Sequence, residues 1–186
     1  MPQTARKPAA TGPIAETLTE SFEGRELRVT RWRGDGSAER PLLFFNGIGA
    51  NSELIAPLAD ALPERDLVTF DMPGIGGSPD PVLPYRPWMI ARIATQILDR
   101  FDYRDVDVMG VSWGGGMAQQ FAFQHADRTN RLVLAATSAG MIMVPGKLSA
   151  LSKMADPRRY IDPSYMEKHF ATLYGGSTEG ASGHTG

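Results

Sequence analysis

The sequence predicts an α/β fold built on a mostly parallel sheet with helices on both of its faces. Short, largely apolar segments at 42–45, 67–70, 106–109 and 132–136 are typical of strands that are buried on both sides. Segments in which apolar residues recur with the period of a helix separate these strands. This alternation is the pattern of a layered α/β domain, and we expect the sheet to end after about its sixth strand.

The N-terminal part is predicted to add a hairpin at one edge of this sheet. Residues 1–14, rich in Ala, Thr and Pro, have no periodic pattern and are expected to form a flexible tail. Segments 16–21 and 26–32 have the character of strands, and Glu23 and Gly24 between them suit a tight turn.

Two helices are predicted between the apolar strands. The first follows a loop at 46–52, and because Pro57 is compatible only with a first helical turn, the pattern does not determine where this helix begins. The second begins near Pro87, after a loop at 71–87 that holds five prolines. The residues expected to face inward are Leu54, Ile55, Leu58 and Leu62 in the first helix and Ile90, Ile93, Ile97 and Phe101 in the second.

Residues 140–186 differ in character from the core predicted for 15–139. Four of the nine methionines (Met141, Met143, Met154 and Met166) fall there among prolines and short helical stretches. A methionine-rich, adaptable surface suits a lid over an apolar substrate; ordinary packing of small helices on the sheet is the alternative. We therefore expect a partial lid, with a frayed end over the Gly-, Ser- and Thr-rich residues 175–186.

Composition excludes several classes of function. A formal net charge of −2 without runs of Lys or Arg argues against a nucleic-acid partner. The absence of cysteine excludes disulfides and a cysteine nucleophile, and fits an intracellular location. No apolar stretch approaches the roughly 20 residues of a membrane-spanning helix, and no apolar run follows Arg6 and Lys7 as in a signal peptide. We expect neither a metal ion nor a cofactor.

The motif GxSxG centred on Ser112 is the most informative local feature. It lies between the strand pattern at 105–109 and a helix pattern at 113–126, where the turn called the nucleophile elbow exposes and aims a serine. The positions two before and two after the serine favour residues without a Cβ, and Gly110 and Gly114 occupy them. A chance match is the alternative, but the flanking strand and helix favour the elbow.

The same turn offers a donor for a developing negative charge. The first N–H groups of a helix are unpaired and the helix dipole favours an anion there, so the Trp113 N–H suits an oxyanion hole. We expect the Trp113 indole to form a pocket wall. Together, Ser112 and this donor predict nucleophilic attack on a carbonyl group.

Several segments together resemble the α/β-hydrolases and, within them, the intracellular medium-chain-length polyhydroxyalkanoate depolymerases. The resemblance spans about residues 41–176 and is carried by FFNGIGAN at 44–51, FDMPGIGGS at 70–78, GVSWGG at 110–115, AQQFA at 118–122, LVLAAT at 132–137 and PRRY at 157–160. It implies the α/β-hydrolase fold and hydrolysis of the ester bonds of a hydrophobic storage polyester, or of a small ester. It also implies a cytoplasmic location at the polyhydroxyalkanoate granule surface.

The resemblance implies roles for individual residues. Ser112 is the nucleophile, and the backbone N–H groups of Ile48 and Trp113 form the oxyanion hole. The glycines that shape the elbow and the oxyanion loop are Gly47, Gly49, Gly110 and Gly114. Relatives carry a histidine where this chain has Asn46, which is tolerable because the donor is a main-chain amide.

Two loops near this site have simpler interpretations. The 46–52 loop, which supplies Ile48, is also compatible with a plain glycine-rich turn. Asp71, at the end of its strand, is expected to brace the 73–77 turn by side-chain hydrogen bonds rather than to take part in chemistry.

The triad acid and histidine of this fold are not expected in this chain. They follow the nucleophile in chain order, on loops after later strands. His125 lies near the end of the helix predicted for 113–126, about 20 Å from Ser112, while His169 and His184 follow no apolar strand. We therefore expect an N-terminal fragment that is inactive by itself, has an open sheet edge and is poorly soluble.

Other functions remain compatible with these residues. Another serine esterase, a lipase, a lactonase or a carbon–carbon bond hydrolase would use the same elbow and donors. A non-catalytic granule-binding protein with the same fold is a further alternative. Serine at the elbow, where a carboxylate would be needed, disfavours haloalkane dehalogenase and epoxide hydrolase chemistry.

Overall fold

The computed structural model describes residues 13–38 and 40–140, together with ten positions of the C-terminal segment: 152, 153, 156, 158, 162, 164, 165, 167, 168 and 169. The chain divides into two compact units, Met1–Met141 and Ile142–Gly186, and the fold below is that of the first unit. Residues 1–12 of the predicted tail and most of the predicted lid lie outside the described residues.

The first unit is built on a mostly parallel sheet, as the sequence predicts. Its described strands are β1 (Ile14–Phe22), β2 (Arg25–Arg33), β3 (Leu42–Phe45), β4 (Leu67–Phe70), β5 (Val106–Val111) and β6 (Thr129–Ala135). Their order across the sheet is β1-β2-β4-β3-β5-β6. The pairs β1–β2 and β2–β4 are antiparallel, whereas β3–β4, β3–β5 and β5–β6 are parallel. The hairpin predicted for the edge is therefore confirmed.

Helices cover both faces of this sheet. The described helices are α1 (Ala56–Ala61), α2 (Pro87–Arg100) and α3 (Trp113–Gln124), with 3₁₀ turns at Ser52–Ile55 and Ala126–Arg128. Residues of α2 and α3 belong to the larger apolar cluster of the core, whereas α1 contributes to a smaller one. The two-sided arrangement predicted from the sequence is confirmed.

Strand β3 shows why a buried parallel strand is apolar throughout. Leu43 and Phe45 lie in the larger cluster, and Leu42 and Phe44 lie in the smaller one. Successive side chains point to opposite faces of a strand, so a strand covered on both faces needs apolar residues at every position.

The inward stripe predicted for α2 is confirmed. Its members Ile90, Ile93, Ile97 and the adjoining Phe101 are buried, and the helix begins at Pro87. Proline is favoured there because the first N–H of a helix has no partner within the helix.

The stripe predicted for the first helix is wrong at one position. Leu54 is 66% exposed, while Ile55 is buried and Leu58 and Leu62 pack against the smaller cluster. The reason is that this segment begins as a 3₁₀ turn, whose tighter winding changes the direction of its side chains. Pro57 lies in the first turn of α1, the position that its chemistry requires.

Strand β6 forms an edge of the described sheet and is poorly covered. Leu132, Val133 and Leu134 are 39%, 47% and 39% exposed. The expected open edge with apolar side chains is therefore present in this unit. Within the described residues, none of the helices is both long enough and apolar enough to cross a membrane.

Candidate active site

The candidate site lies where two neighbouring parallel strands end. In the register of β3 and β5, Phe45 is paired with Gly110, so the loops that leave these strands begin side by side. One loop is 46–52 and the other is the turn at Ser112. Sites in open α/β sheets are found at this carboxyl edge of the strands.

Ser112 occupies a strained turn rather than a helix or a strand. Its φ is 55° and its ψ is −121°, a combination rarely adopted by residues with a Cβ. The Ser112 N–H donates to the carbonyl of Ala135 at 2.9 Å, and its own carbonyl accepts from the Gly115 N–H at 2.9 Å. β6 and the first turn of α3 thus hold the serine in this conformation, the geometry predicted for the elbow.

The two motif glycines are required by close backbone approaches. A Cβ built on Gly110 would lie 2.3 Å from the carbonyl oxygen of Gly114. A Cβ on Gly114 would lie 2.2 Å from the carbonyl oxygen of Phe45. Any side chain at either position would therefore separate α3 from the strands beneath it.

The 46–52 loop lies beside the serine. A Cβ built on Gly47 would come within 3.8 Å of the Ser112 Cβ, and Gly49 has a φ of 74°, which glycine adopts without cost. The N–H groups of Ile48 and Trp113 donate to no other described protein group. Two main-chain donors without a partner among the described residues thus belong to the loop and the turn that flank Ser112.

The loop is closed on itself by hydrogen bonds. The buried Asn46 donates through Nδ2 to the carbonyl of Asn51 at 3.0 Å, and the Ala50 N–H donates to the carbonyl of Gly47 at 3.1 Å. Asn46 thus has a structural role. Its side chain fixes the width of the loop at its base.

Asp71 braces the next loop, as predicted. Its carboxylate is fully buried, and Oδ2 accepts a hydrogen bond from the Gly77 N–H at 2.8 Å. Two further partners were not predicted from the sequence: the Ser52 N–H, 2.6 Å from Oδ1, and Arg28, whose Nε lies 3.5 Å from Oδ2. Arg28 lies on β2, far from Asp71 in the chain, and no local motif connects the two residues.

The Trp113 indole has a packing role. It is partly buried and lies against the larger apolar cluster. The pocket wall expected of it stays a prediction.

His125 is not placed as a base for Ser112. His125 caps the C-terminus of α3, whose N-terminus is Ser112, and its ring lies 5.3 Å from that of Phe121. Burial lowers the pKa of His125. His169 belongs to the second unit, where its ring lies 4.6 Å from that of Tyr165, and His184 is outside the described residues.

A cavity of about 370 Å³ lies between the β1–β2 turn and the loop after β4. Its lining includes Glu23, Arg25, Asp80 and Met89, and Ser112 is not among its lining residues. This cavity is therefore separate from the candidate site.

Comparison with known proteins decides the family. A family model described as the alpha/beta hydrolase fold matches residues 40–173. The chain belongs to the α/β-hydrolase fold family.

Individual relatives agree with this assignment. The chain is 53% identical to a poly(3-hydroxyalkanoate) depolymerase of Ectopseudomonas oleovorans over 73% of its own length and 48% of that protein. It is 30% identical to a 2-hydroxymuconate semialdehyde hydrolase of Pseudomonas sp. strain CF600, over 75% of this chain and 53% of that protein. The crystal structure of a membrane phospholipase A matches with a TM-score of 0.66 and 25% identity, over 83% of this chain and 50% of that chain. The chain spans about half the length of the curated relatives that it matches.

Proposed function

We propose that this α/β-hydrolase chain is the nucleophile-bearing part of a serine esterase that cleaves medium-chain-length polyhydroxyalkanoate. The observation that carries the proposal is the strained Ser112 turn beside the Gly47 loop. Strain of this kind persists only where the surroundings impose it, and it is concentrated at functional sites. The 53% identity to a poly(3-hydroxyalkanoate) depolymerase supports the substrate class.

In the proposed reaction the Ser112 Oγ attacks the ester carbonyl carbon and gives its proton to a base. The carbonyl oxygen becomes an oxyanion, which the N–H groups of Ile48 and Trp113 stabilise. Collapse of this intermediate expels the alcohol, which takes up the proton, and leaves an acyl-serine. Water then attacks the acyl-serine, releases the acid and restores the Ser112 hydroxyl.

The base and its acid partner are proposed to come from outside these 186 residues. The chain order of the triad places both after the nucleophile, and His125 lies at the far end of α3, about 20 Å away. Removal of triad members costs on the order of 10⁴ to 10⁶ in rate. The 186-residue chain by itself is therefore expected to be inactive.

An ester assay tests the function. We expect no Ser112-dependent turnover of p-nitrophenyl octanoate by the 186-residue chain. A chimera in which the second half of the E. oleovorans depolymerase follows this chain is expected to hydrolyse it and to lose the activity on Ser112→Ala. Robust turnover by the 186-residue chain, abolished by Ser112→Ala, would show that it contains its own base. An inactive chimera that is folded would count against the esterase assignment.

The substrate class requires a separate comparison. Hydrolysis of a medium-chain polyester emulsion is measured beside p-nitrophenyl esters of increasing chain length, with Ser112→Ala as the control. Activity on the small esters without activity on the emulsion would favour a general esterase or lactonase. Sedimentation of folded Ser112→Ala with polyester granules, if no variant hydrolyses any ester, would favour the non-catalytic granule-binding protein.

A further inference from the structure

The buried carboxylate of Asp71 joins two loops at the carboxyl edge of the sheet. Oδ1 accepts from the Ser52 N–H at 2.6 Å, and Oδ2 accepts from the Gly77 N–H at 2.8 Å. Ser52 is the last residue of the 46–52 loop, and Gly77 belongs to the turn that follows β4. The 46–52 loop carries Ile48. The Asp71 side chain thus links the C-terminal end of this loop to the end of β4, the strand beside β3.

Arg28 supplies the positive charge opposite Asp71 and also binds the Ser52 side chain. Its Nε lies 3.5 Å from Asp71 Oδ2, and its terminal nitrogen donates to Ser52 Oγ at 3.2 Å and to Glu53 at 2.8 Å. A carboxylate without solvent contact requires such partners, because an unpaired buried charge is very costly. We call Arg28, Ser52, Asp71 and Gly77 the clamp.

The turn at 73–78 packs directly against the clamp. A Cβ built on Gly76 would lie 2.2 Å from Asp71 Oδ2 and 2.9 Å from the Asn51 Cβ. Ser78 closes the same turn by donating from Oγ to the Asp71 carbonyl at 2.7 Å. The 46–52 loop is therefore held from the β4 side as well as by its own hydrogen bonds.

Asp71 is not suited to be the acid of a triad. Both of its carboxylate oxygens accept main-chain N–H groups, and Arg28 lies against one of them. Asp71 also precedes Ser112 in the chain, the reverse of the order that this fold uses. Its contacts lead to the loop beside the serine rather than to the serine itself.

We propose that Asp71 is a positioning residue for the oxyanion hole. By fixing the Ser52 N–H, it sets the conformation of the 46–52 loop and hence the direction of the Ile48 N–H beside Ser112. This inference rests on the proposed function for its catalytic meaning, but the effect on the loop is independent of any reaction. A misplacement of about 1 Å in an active site can cost on the order of 10²-fold in rate, and an oxyanion-hole donor acts only from hydrogen-bonding distance.

Amide hydrogen exchange of the 186-residue chain, measured by NMR, tests the effect on the loop. The reporter is the Ala50 N–H, whose hydrogen bond is to the Gly47 carbonyl rather than to Asp71. Asp71→Asn retains the size of the side chain but removes the charge and one acceptor. We expect Ala50 to exchange at least tenfold faster in this variant, while the amides of β5 are unchanged relative to the wild type.

The matched control is Asp107→Asn. Asp107 is also a buried carboxylate, and it is paired with Arg65 at 3.1 Å and with Asn130 at 2.7 Å. Unlike Asp71, it lies near the other end of β5, about 17 Å along the strand from Ser112. We expect this change to leave Ala50 exchange within twofold of the wild type. Unchanged Ala50 exchange in Asp71→Asn, or an equal increase in both variants, would overturn the proposal.

A second variant covers the case in which Asp71→Asn does not fold. Arg28→Met combined with Asp71→Asn removes both charges together, so no buried charge is left without a partner. The same tenfold increase at Ala50 is expected from this pair, and its absence overturns the proposal.

Kinetics of the chimera connect the loop to catalysis. Asp71→Asn is expected to lower kcat at least tenfold with KM within twofold, and Asp107→Asn is expected to leave both within twofold. A wild-type chimera without esterase activity would remove the proposed function, while the Ala50 result would still decide whether Asp71 positions the loop. An unchanged kcat in Asp71→Asn would overturn the role in the oxyanion hole.

Discussion

At the scale of single residues, the candidate site depends on one serine in an unfavourable backbone conformation. Ser112 has a positive φ, and the hydrogen bonds to Ala135 and Gly115 keep it there. Such a conformation costs of order 1–3 kcal/mol for a residue with a Cβ. Interactions with the surrounding strands and helix offset this cost in free energy.

This strain predicts that, at Ser112, glycine gives a more stable protein than alanine does. Ser112→Ala keeps the Cβ and the strain, whereas Ser112→Gly removes both at an entropic cost of about 0.5–1 kcal/mol. We therefore expect Ser112→Gly to be about 1 kcal/mol more stable than Ser112→Ala in urea unfolding. At the exposed Ser37, which has no positive φ, glycine should be the less stable of the two. The same ranking at both sites would contradict stored strain at Ser112.

A second residue-scale prediction concerns pH. Burial lowers the pKa of His125, and its Nε2 has no hydrogen-bond partner among the described residues. The unfolded chain, in which this pKa is near 6.5, therefore binds the proton first as the pH falls. We expect the unfolding free energy to decrease as the pH falls below about 6.5 and to level off below the folded-state pKa. His125→Asn should reduce this decrease; an unchanged pH profile of stability would argue against a lowered pKa.

At the scale of elements, the approach of α3 to β3 sets the position of the elbow. The Gly114 Cα faces the carbonyl oxygens of Phe45 and Asn46, so the helix begins directly above the end of the strand. The same contact places the start of the 46–52 loop next to Ser112. A small residue in the helix is therefore what brings the two proposed donors together.

Two glycines of α3 provide a matched test of this contact. A Cβ on Gly114 would meet backbone atoms at 2.2 Å, whereas a Cβ on Gly116 would meet nothing within 4 Å. We expect Gly114→Ala to destabilise the fold by at least about 2 kcal/mol, because the strand cannot move aside. Gly116→Ala should stabilise it by about 0.5–1 kcal/mol through helix propensity. Equal unfolding midpoints for the two variants would contradict the close approach.

At the scale of the whole molecule, the described sheet is covered unevenly. β3 and β4 are buried on both faces, while β6 has three apolar side chains that are 39–47% exposed. Exposed apolar strands at a sheet edge favour association between chains. The low formal net charge of −2 provides little electrostatic repulsion against it.

A single charge on this edge is expected to improve solubility. Val133→Lys places a cation on β6, and we expect a several-fold higher soluble fraction and a smaller oligomeric fraction in size-exclusion chromatography. The control is Val108→Lys on the neighbouring strand β5, where the side chain is fully buried and the same change should prevent folding. No gain in solubility from Val133→Lys would indicate that association arises elsewhere.

Much of the fold follows from local patterns in the sequence. The positions of β3, β4 and α2, the inward stripe of α2 and the elbow glycines could all be predicted, because periodicity and steric rules act between near neighbours in the chain. The exposure of Leu54 could not be predicted, because the choice between a 3₁₀ turn and an α-helix at Ser52–Ile55 depends on contacts with the rest of the sheet.

The sequence alone therefore determined the fold class, the order of the elements and Ser112 as the candidate nucleophile. Only the tertiary structure revealed the clamp in which Arg28 and Asp71 hold the 46–52 loop. The physical reason is that Arg28 lies on β2 whereas Asp71 directly follows β4. Their pairing depends on which strands become neighbours in the sheet, and this neighbourhood leaves no local pattern in the chain.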